Sequence, residues 1–94
     1  MEGTRRVIRG IAELRSTLGE ELGVSEWVAV PQELIGSFAD TTGDRHWIHA
    51  DLARAATSPL GSTIAHGLLT LSLGPMLMYS IASFEGFATD LNAG

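Results

Sequence analysis

From Ala55 to Phe84 the sequence contains no Asp, Glu, Lys or Arg, and its second half, Gly67 to about Ala82, is apolar on every side. Wound as a helix, Leu68, Leu69, Leu71, Leu73, Met76, Leu77, Met78 and Ile81 spread around the whole circumference. A helix of that kind must be enclosed by other structure. The stretch is long enough to ask whether a bilayer encloses it. Its interior argues otherwise, because Pro59, Gly61, Ser62, His66, Thr70, Ser72, Gly74, Pro75, Ser80 and Ser83 interrupt the apolar run. Basic anchors are missing as well, since Glu85 follows directly. The expectation is therefore no membrane span but a helix buried in protein, with Met76 and Met78 in the core. Pro75 should kink this helix or open its hydrogen-bond ladder near Leu71.

The rest of the chain offers little to enclose it. Apolar residues at Val7, Ile8, Ile11, Leu14 and Leu18 recur at three to four, which predicts an amphipathic helix over Thr4 to Leu18. Ser25 to Val30 is β-favouring and ends at Pro31. Leu34, Ile35, Phe38 and Ala39 predict a helix from Gln32 to Asp40, with Pro31 at its first position and a turn at Thr41 to Asp44. Asp51 can cap a short helix over Leu52 to Ala56, and Ser58 to Gly61 is a loop. No element is expected from Gly86 to Gly94. One strand cannot wrap a helix, because its edges would be unpaired. Either a partner chain or a missing C-terminal part should supply the wall.

Ninety-four residues fit one domain, residues 1–94. Eleven acidic against six basic residues give a net charge of −5, with no basic stripe for nucleic acid. The absence of cysteine excludes a disulfide scaffold, a thiolate metal site and a cysteine nucleophile. The basic N-terminus has no apolar run behind it, so no secretory signal is read and a cytoplasmic location is expected.

The polar focus is Thr42 to Asp51. Asp44 and His49 lie five positions apart in an apolar-flanked loop, with Trp47 and Ile48 between them. A carboxylate and an imidazole make a plausible acid/base pair, since an imidazole exchanges its proton near neutrality. Ile64-Ala65-His66-Gly67 then opens the apolar helix. Free N–H groups at such a start could hold a developing oxyanion. Each residue also has a plain structural reading. Asp44 alone is an ordinary turn residue after Gly43, His49 alone a bonded loop histidine, and His66 a structural rather than catalytic residue. Asp44, His46, His49 and Asp51 suit zinc or iron by type, but a loop is a poor scaffold and no outer shell is evident, so no metal is expected. Thr70 and Ser72 should bond back to helix carbonyls.

Together, Phe38-Ala39-Asp40-Thr41-Thr42-Gly43-Asp44, His49-Ala50-Asp51, Arg54-Ala55 and Ile64-Ala65-His66-Gly67-Leu68-Leu69-Thr70-Leu71-Ser72 resemble the hydratase signature of the MaoC-like dehydratases. That group includes the (R)-specific enoyl-CoA hydratases. Leu22 to Trp27 and Gln32 resemble its nodulation-protein-N-like branch. The resemblance implies an α+β hot-dog fold, an antiparallel sheet curled around the central helix Gly67 to Ala82. This chain would be the N-terminal portion, lacking the C-terminal strands. It implies reversible hydration of a trans-2-enoyl thioester on coenzyme A or acyl carrier protein, in a homodimer or beside a complementary hot-dog chain, with no cofactor. Asp44 and His49 would hold and activate the water, and the Gly67 N–H would polarise the thioester carbonyl. His46, Ile64, Ala65, His66 and Leu68 would line the substrate. Arg45 and Arg54 could reach coenzyme A phosphates, although solvated surface arginines are the plainer reading. Two departures are His46, where an amide is more usual, and Pro31 in place of a hydroxyl cap. The alternative is an inactive truncated module that binds acyl thioesters or pairs with a partner chain.

Overall fold

A computed structural model of the chain describes residues 5–90. Its contacts divide into two units, one formed by Met1–Glu26 with Pro75–Gly94 and the other by Trp27–Gly74.

In the first unit, strand β1 (Arg6–Arg9) runs directly into helix α1 (Gly10–Ser16). The single helix expected over Thr4 to Leu18 is thus half strand. Val7 and Ile8 are β-branched and favour an extended backbone. Gly10, at φ 73°, then turns the chain in a conformation that other residues rarely adopt. Strand β2 (Ala82–Glu85) pairs with β1 in parallel, Arg6 opposite Ala82 and Arg9 opposite Glu85. Among the described residues this pair is the sheet, and it differs from the antiparallel arrangement expected. Both strands point the same way because the connection between them is a helical crossover rather than a hairpin. Ile8 and Ala82 are buried at 1% and 0% exposure, so the pair is held by its apolar face. The Arg9–Glu85 ion pair at 3.5 Å is exposed and adds little. Helix α6 (Gly74–Ile81) precedes β2. Met76 and Met78 on it are 49% and 37% exposed, so they are not the core residues expected. After β2, residues 86–90 form no regular element.

The second unit begins without regular structure. Residues 27–31 form no strand, and Trp27 is fully exposed. The strand expected at Ser25 to Val30 is absent because a strand needs a neighbour for its N–H and C=O groups, and none pairs with it among the described residues. Helix α2 (Gln32–Thr42) buries Ile35 and Ala39. Pro31 precedes it at the N-cap rather than inside its first turn, and Gly43 ends it at φ 81°, its N–H donating to the Ala39 carbonyl at 2.8 Å. Helix α3 (Trp47–Ala50) is a single turn where a loop was expected, begun by His46, whose Nδ1 accepts from the Ile48 N–H. Helix α4 (Leu52–Ala56) is capped by Asp51, which accepts from the Arg54 N–H at 3.0 Å.

Helix α5 (Gly67–Ser72) is followed by α6 after a break at Leu73. The continuous helix expected from Gly67 to Ala82 is therefore two. Pro75 has no N–H to give the Leu71 carbonyl, and the ladder opens there. Thr70 and Ser72 bond back to the His66 and Leu68 carbonyls, as expected. Leu69 is buried, whereas Leu68 and Leu71 are 68% and 72% exposed. Among the described residues no helix is long and apolar enough to cross a membrane.

Candidate active site

The site lies wholly in the second unit, where the α2–α3 connection, α3 and the segment before α5 converge. Gly43 stops α2, which leaves Asp44 on the exposed turn into α3. The turn is held by the Arg45 N–H to the Gly43 carbonyl at 3.1 Å and, more loosely, by the Asp44 N–H to Thr42 Oγ1 and the His46 N–H to Asp44 Oδ1, both at 3.4 Å. The single turn of α3 then carries His49 inward to 8% exposure.

His49 is fixed at both its backbone and its ring. Its Nδ1 lies 2.8 Å from the Ile64 carbonyl oxygen. A carbonyl only accepts, so Nδ1 carries the proton and Nε2 presents a lone pair. Ile64 is itself anchored, its N–H donating to the Ile48 carbonyl at 2.9 Å. Gln32 closes the ring of bonds. Its Nε2 donates to the His49 carbonyl at 2.8 Å, and its Oε1 accepts from Thr63 Oγ1 at 2.6 Å.

His66 is buried at 2% exposure. Its Nε2 donates to the Asp44 carbonyl at 2.9 Å, and its ring stacks on His49 with centroids 3.8 Å apart and planes 22° apart. Phe38 packs on the same ring at 4.8 Å. Among the described residues, His66 Nδ1 is buried without a partner. Such an atom costs about 1–3 kcal/mol of lost hydration, so something must hold the ring there against that cost.

One ligating atom each from Asp44, His49 and His66 lies within 4.8 Å of the other two. The set differs from the metal quartet considered from sequence, in which Asp51 and His46 turn out to be helix caps. The three are also awkward ligands for one ion. Imidazole lone pairs lie in the ring plane, and rings stacked nearly parallel send them side by side instead of to a common point. What the arrangement suits is a water. The Asp44 carboxylate and the His49 Nε2 lone pair are acceptors that can take its two O–H bonds, and either can accept a proton.

Gly67 follows His66 and opens α5, and a Cβ placed on it would meet nothing within 4 Å, so the space beside its backbone is free. Of the other lining candidates, His46, Ile64 and Leu68 are exposed and Ala65 is half-buried. Arg45 is paired with Asp40 at 3.1 Å, and the Arg54 guanidinium lies 4.5 Å over the Trp47 ring. Neither is committed to the Asp44–His49 pair. The supporting roles of Gln32 and Thr63 were not read from the spacing. Gln32 at a helix start looks like any first-turn polar residue, and its partner His49 is seventeen positions away.

Residues 13–89 match the sequence profile of the MaoC like domain. The chain is 44% identical over 89 residues to a protein of Mycobacterium tuberculosis named 3-hydroxyacyl-thioester dehydratase Z, covering 95% of this chain and 59% of that one. It is 51% identical over 71 residues to Nodulation protein N of Rhizobium leguminosarum bv. viciae, covering 74% and 44%. Against the 3-hydroxybutyryl-CoA dehydratase of Methylorubrum extorquens it is 40% identical over 67 residues, covering 67% and 43%. The chain thus spans about three-fifths or less of the length of these relatives.

Proposed function

The chain belongs to the MaoC-like domain family, and on that premise we propose that it carries the water-activating half of a hydro-lyase acting on acyl thioesters. The substrate is a trans-2-enoyl thioester of coenzyme A or acyl carrier protein, converted reversibly to the 3-hydroxyacyl thioester. The observation that carries the reading is the approach of Asp44 and His49 to within 4.8 Å beside His66, at the start of α5.

In the hydration direction a water held by the Asp44 carboxylate and His49 Nε2 attacks the β-carbon. One of its protons passes to this pair as the C–O bond forms. The electron pair of the alkene moves through the α-carbon onto the thioester oxygen, giving an enolate. The Gly67 N–H faces that oxygen, and a single donor of this kind contributes roughly 3–4 kcal/mol. Collapse of the enolate takes a proton onto the α-carbon and returns the pair to its starting state. Dehydration runs the same steps backward. His46, Ile64, Ala65 and Leu68 line the acyl thioester, with His66 backing them. Positioned acid/base groups contribute about a hundred- to ten-thousandfold. We place the chain in the cytoplasm, in a hot-dog assembly whose antiparallel sheet covers α5 and α6.

The test is hydration of a short trans-2-enoyl-CoA, followed by loss of the enoyl absorbance, by the chain and by Asp44→Asn and His49→Ala. Each substitution is expected to lower the rate about a hundredfold or more. Equal rates in all three proteins would remove the assignment.

A second reading is favoured by the exposure of Leu68, Leu71, Met76, Met78 and Tyr79 on α5 and α6. Here the chain is an inactive hot-dog half that binds acyl thioesters or pairs with a complementary chain. It predicts thioester binding by calorimetry with no turnover. Turnover by the purified chain would exclude it.

A further inference from the structure

His66 makes one contact to each member of the Asp44–His49 pair. Its Nε2–H donates to the Asp44 carbonyl at 2.9 Å, and its ring lies against that of His49 at 3.8 Å. Asp44 itself has little else to hold it, since its two other bonds measure 3.4 Å and it is exposed. The His49 ring is pinned at one edge by the Ile64 carbonyl. A single bond at an edge still allows the ring to swing about it, and a stacked neighbour removes that freedom.

We infer that His66 is the positioning residue of the site, one ring that fixes the Asp44 backbone through its N–H and the His49 plane through its face. The inference rests on the reading of Asp44 and His49 as the reacting pair. It also accounts for the buried, unpartnered His66 Nδ1. The N–H must face Asp44, so the lone pair is left where no donor stands. The two stacked imidazoles are then fixed in opposite tautomers, His66 protonated at Nε2 and His49 at Nδ1, because each faces a carbonyl oxygen that can only accept.

The tautomers are read in the unsubstituted chain by long-range proton–nitrogen correlation of the imidazoles. One fixed form for each ring, in opposite senses, is expected. His66 protonated at Nδ1, or either ring averaging between forms, would overturn the inference without any reference to turnover. Two substitutions then separate the arms. His66→Phe keeps a flat ring against His49 and loses the donor to Asp44. His66→Gln places an amide N–H near the old Nε2 and loses the ring. The His49 signals should stay fixed in His66→Phe and average in His66→Gln. With a short enoyl-CoA as probe, both should lower kcat about a hundredfold while KM stays within about twofold, because neither removes a substrate contact. Unchanged His49 signals in His66→Gln, or a rise in KM as large as the fall in kcat, would leave His66 an ordinary packing residue. A chain that shows the two tautomers and the His49 response but turns over no enoyl-CoA would keep the positioning role and sink the hydratase reading instead.

Discussion

Gln32 uses both ends of its amide, one on the His49 carbonyl and one on the Thr63 hydroxyl, and so ties the start of α2 to the two segments that flank the site. Its replacement by Leu leaves two part-buried polar groups without partners. The expected loss is about 1–3 kcal/mol for an unsatisfied group, read from the urea midpoint. Asp44 sits at the opposite extreme. It is exposed, and its carboxylate makes one long bond to the His46 N–H. Asp44→Asn should therefore leave stability within about 0.5 kcal/mol of the parent while lowering turnover about a hundredfold or more, which thermal melts beside rate assays would separate. That Asp44 and His49 lie near one another is legible in the sequence because only five positions separate them across the turn into α3. The pairings of Gln32 with His49 and of His66 with Asp44 are not. Their partners are seventeen and twenty-two positions apart, and nothing local brings them together.

Helices α2 and α4 illustrate what local rules can specify. Gly43 takes the left-handed conformation that ends α2, and Asp51 caps α4. Gly43→Ala should cost about 1–2 kcal/mol, the penalty for a Cβ in that region. Asp51→Ala should cost about 0.5–2 kcal/mol. Both are measurable as shifts in the denaturation midpoint, and an effect near zero at either position would mean that the helix end is set by packing instead. Pro75 acted as a local rule predicts, splitting the apolar helix near Leu71. The elements that departed from expectation were those whose state depends on a neighbour. Ser25 to Val30 has the composition of a strand but no strand beside it. Val7 and Ile8 fit either a helix face or a strand, and pairing with Ser83 and Phe84 decides for the strand.

Across the whole chain, the apolar side chains exceed what the described residues can cover. Leu18, Val24, Trp27, Leu68 and Leu71 are each more than two-thirds exposed. Where such side chains lie one helical turn apart, as Leu68 and Leu71 do on α5, they mark an interaction face or an aggregation hazard. Self-association is expected, with a melting temperature that rises with protein concentration as a partner copy binds the folded state. Leu71→Ser removes one exposed side chain from α5 and should weaken association while changing monomer stability by less than about 0.5 kcal/mol. Sedimentation over a range of concentrations checks both. A parent chain that stays monomeric throughout would count against the pairing reading.

The sequence alone determined the family, the Asp44–His49 spacing, the turn that stops α2, the Asp51 cap of α4, and the apolar character of the Gly67 to Ala82 segment. Each of these rests on residues close together in the chain or on the side-chain chemistry itself. Tertiary structure decided that β1 and β2 pair in parallel, that Gln32 and Thr63 brace His49, and that His66 stacks on it while holding Asp44. Those are contacts between distant positions, and their energies exist only once the backbone has brought the partners within reach.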